Sequence, residues 1–178
     1  MPLDANLQHL IQNEFFRYLV FEDPKWDWKN FRFDHDVDFA DEKLGAIVNQ
    51  TDPDLRAFKA HGGKLIQYHG WYDPAISPLN SVNYFQSVHA KMGDTQDFYR
   101  LFMVPGMDHC SGGPGATEFD RMSLLTRWVE KNEAPAQIVA TRMAGDQVIR
   151  THVVCSYPQS AHYKGIGSQD EADNFECR

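Results

Sequence analysis

The chain has 178 residues, enough for one domain or a piece of one and too few for two ordinary domains. Apolar residues make 42%, which suffices for a core, and the formal charge of −8 without a Lys/Arg-rich run argues against nucleic-acid partners. No apolar run approaches the roughly 20 residues that span a bilayer, so no transmembrane helix and no membrane partner is expected.

Met1-Pro2-Leu3-Asp4-Ala5-Asn6 lacks a basic stretch followed by an apolar one, so no signal peptide is read there. From Asn6 to Val20, Leu7, Leu10, Ile11, Phe15, Leu19 and Val20 recur at helical spacing and predict an amphipathic helix. Phe21 to Phe39 has aromatics and acids without a clean period and reads as an ordered loop whose rings pack on the body of the fold. A helical stretch follows from Phe39 to Val48. Asp52-Pro53 is a helix-opening pair, Leu55 and Phe58 would face inward, and Gly62-Gly63 ends the helix. Lys64 to His69 reads as a strand.

Ser77-Pro78 opens a second helix, with Leu79, Val82, Phe85, Val88 and Met92 on one face and Gly93 at its close. Phe98 to Val104 is nearly all apolar, which suits a strand covered on both faces of a parallel sheet. Thr117 with Asp120 resembles a capping box, and Phe119, Met122, Leu125, Trp128 and Val129 give the next helix its face. Gln137 to Met143 and Gln147 to Val154 form a hairpin candidate around Ala144-Gly145-Asp146, and the tail is polar. The order strand, helix, strand, helix predicts an α/β fold with a parallel sheet. Two central strands are fewer than such a sheet normally has, so the chain reads as part of a larger fold.

In parallel α/β sheets, functional residues sit just past the carboxyl ends of strands. The first strand runs into Gly70-Trp71-Tyr72-Asp73-Pro74 and the second into Pro105-Gly106-Met107-Asp108-His109-Cys110. A helix between them would bring both loops to one edge. A carboxylate there fixes the tautomer of an imidazole, which can then take a proton from a serine hydroxyl; the order acid then histidine is that of the last two members of an α/β-hydrolase triad. The competing reading is a capping aspartate and a surface histidine.

Gly62–Pro78 (GGKLIQYHGWYDPAISP), Arg100–Gly115 (RLFMVPGMDHCSGGPG), Leu19–Asp41 and Cys155–Cys177 together resemble the tannase and feruloyl esterase family, in its C-terminal part. The resemblance implies a partial α/β-hydrolase fold over residues 1–178: the C-terminal portion of the parallel sheet with flanking helices, plus a C-terminal hairpin and tail. It implies a serine carboxylic ester hydrolase acting on esters of aromatic acids, galloyl or hydroxycinnamoyl. Asp73, in H-G-W-x-D-P, would be the acid, and His109, in P-G-M-x-H-C, the base. The family's G-C-S-x-G-G nucleophile segment, oxyanion donors and lid have no match, so the chain alone is expected to be inactive. Ser111 and Ser168 sit in glycine-rich stretches without a strand-to-helix elbow and read as turn residues.

The chain's three cysteines allow at most one internal disulfide. By resemblance, Cys155 pairs with Cys177 and pins the tail, while Cys110 is left unpaired because its family partner lies beside the serine. The family habit also implies a secreted or periplasmic protein. His69, beside Gly70, reads as a packed strand-end histidine rather than as a residue lining the site, the other reading its position allows. The other histidines form no ligand spacing, and Asp34, Asp36, Asp38 and Asp41 lack the glycine and glutamate of a calcium loop, so they read as a solvated acidic segment and no metal or cofactor is expected. An Asp/His metal hydrolase would need further ligands. The competing class is a truncated, non-catalytic α/β module that self-associates through an exposed sheet edge.

Overall fold

The structure is a computed structural model that describes residues 5–178, with side chains from His9 onward. The first four residues, and with them the start of the leader reading, lie outside the described residues, as does the side chain of Leu7. The chain divides into two compact units, one ending at Asp52 and the other running Pro53–Arg178.

In the first unit, α1 (Ala5–Glu14) passes into a π-helical segment, Phe15–Val20, so the predicted single helix changes its winding after Glu14. Its apolar face is not uniformly covered: Val20 is buried, whereas Leu10, Ile11 and Leu19 stay half exposed. The aromatic stretch is ordered by stacking within this unit, with Phe21 on Trp26 and on Phe39, and Phe16 against Phe31. The helix predicted from Phe39 begins earlier, as α2 (Asp36–Val48). Asp36 corrects the solvated-acid reading: it is buried, accepting from Arg32 N at 2.8 Å and from His35 Nδ1 at 2.8 Å. These donors hold its carboxyl below the ordinary value, the Arg32 N–H first and His35 second.

In the second unit, α3 (Arg56–Ala60) starts three residues later than Asp52-Pro53 predicts, with Asp54 rather than Asp52 accepting the Arg56 N–H. β1 (Leu65–Gly70) and β2 (Tyr99–Val104) pair in parallel with Leu65 opposite Tyr99 and Gly70 opposite Val104. Between them α4 (Pro78–Met92) returns the chain. Alternation along β2 buries both of its faces. Leu101 and Met103 join Val82, Phe85 and Val88 of α4, while Phe102 and Val104 join Met107, Ile138, Ala140 and Val154.

α5 (Arg121–Lys131) is capped by Asp120, whose Oδ1 accepts the Ser123 N–H at 3.0 Å. Thr117 is not the cap, because the helix begins only at Arg121 and the Thr117 N–H donates instead to Thr141 O. The inward face of α5 is also shifted from the predicted one: Trp128 is buried and Leu124 packs on the core, whereas Met122 and Val129 are exposed. β3 (Gln137–Ala144) and β4 (Gln147–Cys155) form the predicted hairpin, and Gly145 supplies the left-handed turn residue at φ 59°. The polar tail holds an unforeseen antiparallel pair, β5 (Ala161–Tyr163) and β6 (Phe175–Cys177), tied to β4 by a Cys155–Cys177 disulfide. No helix among the described residues is long and apolar enough to cross a membrane.

Candidate active site

The two loops that follow β1 and β2 meet. Because the strands are parallel, both chains leave the sheet at the same edge, and Trp71 N–H bonds to Val104 O while Tyr72 N–H bonds to Met107 O. Gly70 permits this approach, since a Cβ there would overlap the Met107 carbonyl. The crossing places Asp73 Oδ2 2.9 Å from His109 Nδ1. Asp73 is the enclosed partner, with its side chain 2% exposed, and His109 is the open one at 41%.

The Asp73 carboxylate is held by its own turn. Oδ1 accepts the N–H of Ala75 at 2.7 Å and of Ile76 at 3.0 Å. Burial acts to raise the pKa of this carboxyl, but the Ile76 N–H, the His109 ring and the Ala75 N–H together outweigh it and hold the group below its ordinary value. A carboxylate in that state accepts the Nδ1–H of His109, which leaves Nε2 as the ring's lone-pair nitrogen, the form a general base requires.

His69 also reaches the same oxygen, with Nε2 3.0 Å from Asp73 Oδ2. Reading it as a packed strand-end histidine therefore misses a contact with the candidate acid. Its i, i+4 spacing to Asp73 across Gly70 was the available signal.

The His109 loop is closed on itself. Gly115 N–H bonds to Gly106 O at 3.0 Å and Asp108 N–H bonds to Gly112 O at 3.2 Å. Ser111 lies in this turn, where Gly112 and Gly113 adopt positive φ, and no strand-to-helix elbow presents it. Ser168 lies in the tail between β5 and β6. Arg121 braces the loop: Nη2 donates to Cys110 O at 3.2 Å, and its guanidinium lies over the rings of Tyr68 and Phe119. Cys110 itself is exposed, carries a free thiol and has φ 65°. Among the described residues no group of three or more His, Cys, Asp or Glu side chains converges as metal ligands.

The structure thus joins an acid and an imidazole across the carboxyl ends of two neighbouring parallel strands, where α/β proteins place functional side chains. The family model for tannase and feruloyl esterase matches residues 4–178, and the chain belongs to that family. It is 36% identical to an uncharacterized esterase of Xanthomonas campestris over 94% of this chain and 36% of that protein. It is 47% identical to the mono(2-hydroxyethyl) terephthalate hydrolase of Piscinibacter sakaiensis over 71% of this chain and 22% of that protein. The crystal structure of feruloyl esterase B from Aspergillus oryzae superposes with a TM-score of 0.82 at 28% identity, covering 93% of this chain and 37% of the other. The chain thus spans between about a fifth and two-fifths of the length of these relatives.

Proposed function

We propose that this chain supplies the acid, Asp73, and the base, His109, of a Ser-His-Asp carboxylic ester hydrolase acting on esters of aromatic acids such as galloyl and hydroxycinnamoyl esters. The observation that carries the reading is the 2.9 Å bond from His109 Nδ1 to a buried Asp73. In this reading His109 Nε2 takes the proton of a serine supplied by sequence outside these 178 residues, the serine oxygen attacks the ester carbonyl, and His109 then protonates the leaving alcohol. Water repeats the sequence to release the acid. The disulfide suits an oxidising compartment, which favours a secreted or periplasmic location.

The test has two parts. The purified chain should neither hydrolyse an aryl ester nor be labelled by a serine-directed fluorophosphonate; labelling at a serine of this chain would overturn the assignment of the nucleophile elsewhere. Fused to a serine-bearing segment of the family, it should gain an activity that His109→Ala removes, and activity that survives His109→Ala would overturn the role of the base.

A second reading is a non-catalytic module that self-associates. It draws on the sheet of β1 and β2, in which β1 is an edge strand among the described residues. Light scattering separates the two: a monomer that gains activity on fusion speaks against it.

A further inference from the structure

β1 alternates, so Gln67 and His69 lie on one face and Tyr68 on the other. That first face packs under α4, where Ser81 receives both side chains: Gln67 Nε2 donates to Ser81 Oγ at 2.9 Å, and Ser81 Oγ lies 2.7 Å from His69 Nδ1. Tyr99 of β2, fully buried, donates its hydroxyl to Gln67 Oε1. At the other end of the ring, His69 Nε2 faces two acceptors, Asp73 Oδ2 at 3.0 Å and Ile76 O at 3.3 Å.

These bonds have a single consistent direction in the neutral ring. Two acceptors at Nε2 favour a proton there. Nδ1 is then the acceptor, and the Ser81 hydroxyl must donate to it while accepting from the Gln67 amide. The Gln67 carbonyl in turn accepts from Tyr99, whose burial raises the phenol pKa and keeps it a donor. Gln67, Ser81 and His69 each have a partner on either side, as a low-dielectric environment demands.

We propose that His69 is a positioning residue for the acid–base pair: its Nε2–H clamps the Asp73 oxygen that His109 uses, and the Tyr99–Gln67–Ser81 row fixes the tautomer that makes the clamp. The inference rests on the acid–base reading of Asp73 and His109. It assigns two imidazoles on one oxygen to opposite tautomers, His69 protonated at Nε2 and His109 at Nδ1. The clamp leaves Asp73 Oδ2 no freedom to turn away from His109, so the base stays oriented before any substrate arrives.

The experiment is long-range proton–nitrogen correlation on the uniformly labelled 178-residue chain, at a pH where both rings are neutral. The expected result is an Nε2–H ring for His69 and an Nδ1–H ring for His109. A His69 ring protonated at Nδ1 overturns the inference while leaving the acid–base reading intact. A His109 ring protonated at Nε2 with His69 as expected overturns the acid–base reading instead. Ser81→Ala removes the donor to Nδ1 and should let His69 populate both tautomers; an unchanged pure Nε2–H ring would sink the role of the row. The same correlation on His69→Phe completes the test: without the clamp, His109 should populate both tautomers. His69→Gln, whose amide nitrogen can take the place of Nε2, should restore the Nδ1–H ring; a pure Nδ1–H ring for His109 in His69→Phe would overturn the clamp.

Discussion

Gly70 and the carbonyl of Met107 are in such close approach that no side chain fits between them. This contact is where the loop carrying Asp73 crosses the loop carrying His109. Gly70→Ala should therefore push the loops apart and destabilise the fold by about 3 kcal/mol. A urea unfolding midpoint unchanged from wild type would contradict this.

Asp73→Asn keeps the shape of the acid but replaces an acceptor of the His109 Nδ1–H with a group that can present a donor to it. In a serine-bearing fusion, kcat should fall by about 10⁴ with KM little changed. Steady-state kinetics on an aryl ester would read the split.

The depressed carboxyl of Asp73 links stability to pH. A folded-state pKa below the ordinary 3.8 contributes stability that is fully present above 3.8 and is lost as pH falls through the lower folded value. The stability difference between wild type and Asp73→Asn should thus shrink on acidification below 3.8. Denaturant unfolding across that range gives the slope.

Cys155 and Cys177 close a loop with a sequence separation of 22 that contains β5, β6 and the tail between them. Replacing both with serine should cost roughly 3 kcal/mol through the wider unfolded ensemble. Hydrogen exchange should rise first in Ala161–Tyr163 and Phe175–Cys177, whose pairing is short.

The sequence spoke most clearly where one letter pattern has one physical solution. An unbroken apolar run such as Phe98–Val104 must be covered on both faces, and β2 is. The strand-end rule places Asp73 and His109 at one edge, and the parallel pairing of β1 and β2 joins them there. It failed where the same letters serve two environments. Asp36 reads like its exposed neighbours, yet two local donors allow its burial. His69 reads as packing because the row that directs it comes from Ser81 and Tyr99, which lie 12 and 30 residues away in sequence. α5 turns Leu124 and Trp128 inward because Thr117 and Glu118 are drawn into a bridge with β3, which leaves Asp120 to begin the helix. The β5–β6 pair is invisible in a polar tail because a covalent cross-link and short pairing hold it, with little apolar surface to betray it.

The stitched segment from Gly106 to Gly115 behaves as a small ring with its own circumference. Exchanging an exposed residue such as Ser111 should be tolerated, whereas adding or deleting a single residue must either break a stitch or swing the His109 imidazole off its acceptor. The glycines that let the ring close and the number of residues around it are thus fixed together, because a Cβ at Gly113 or Gly115 would run into the same backbone that the stitches join.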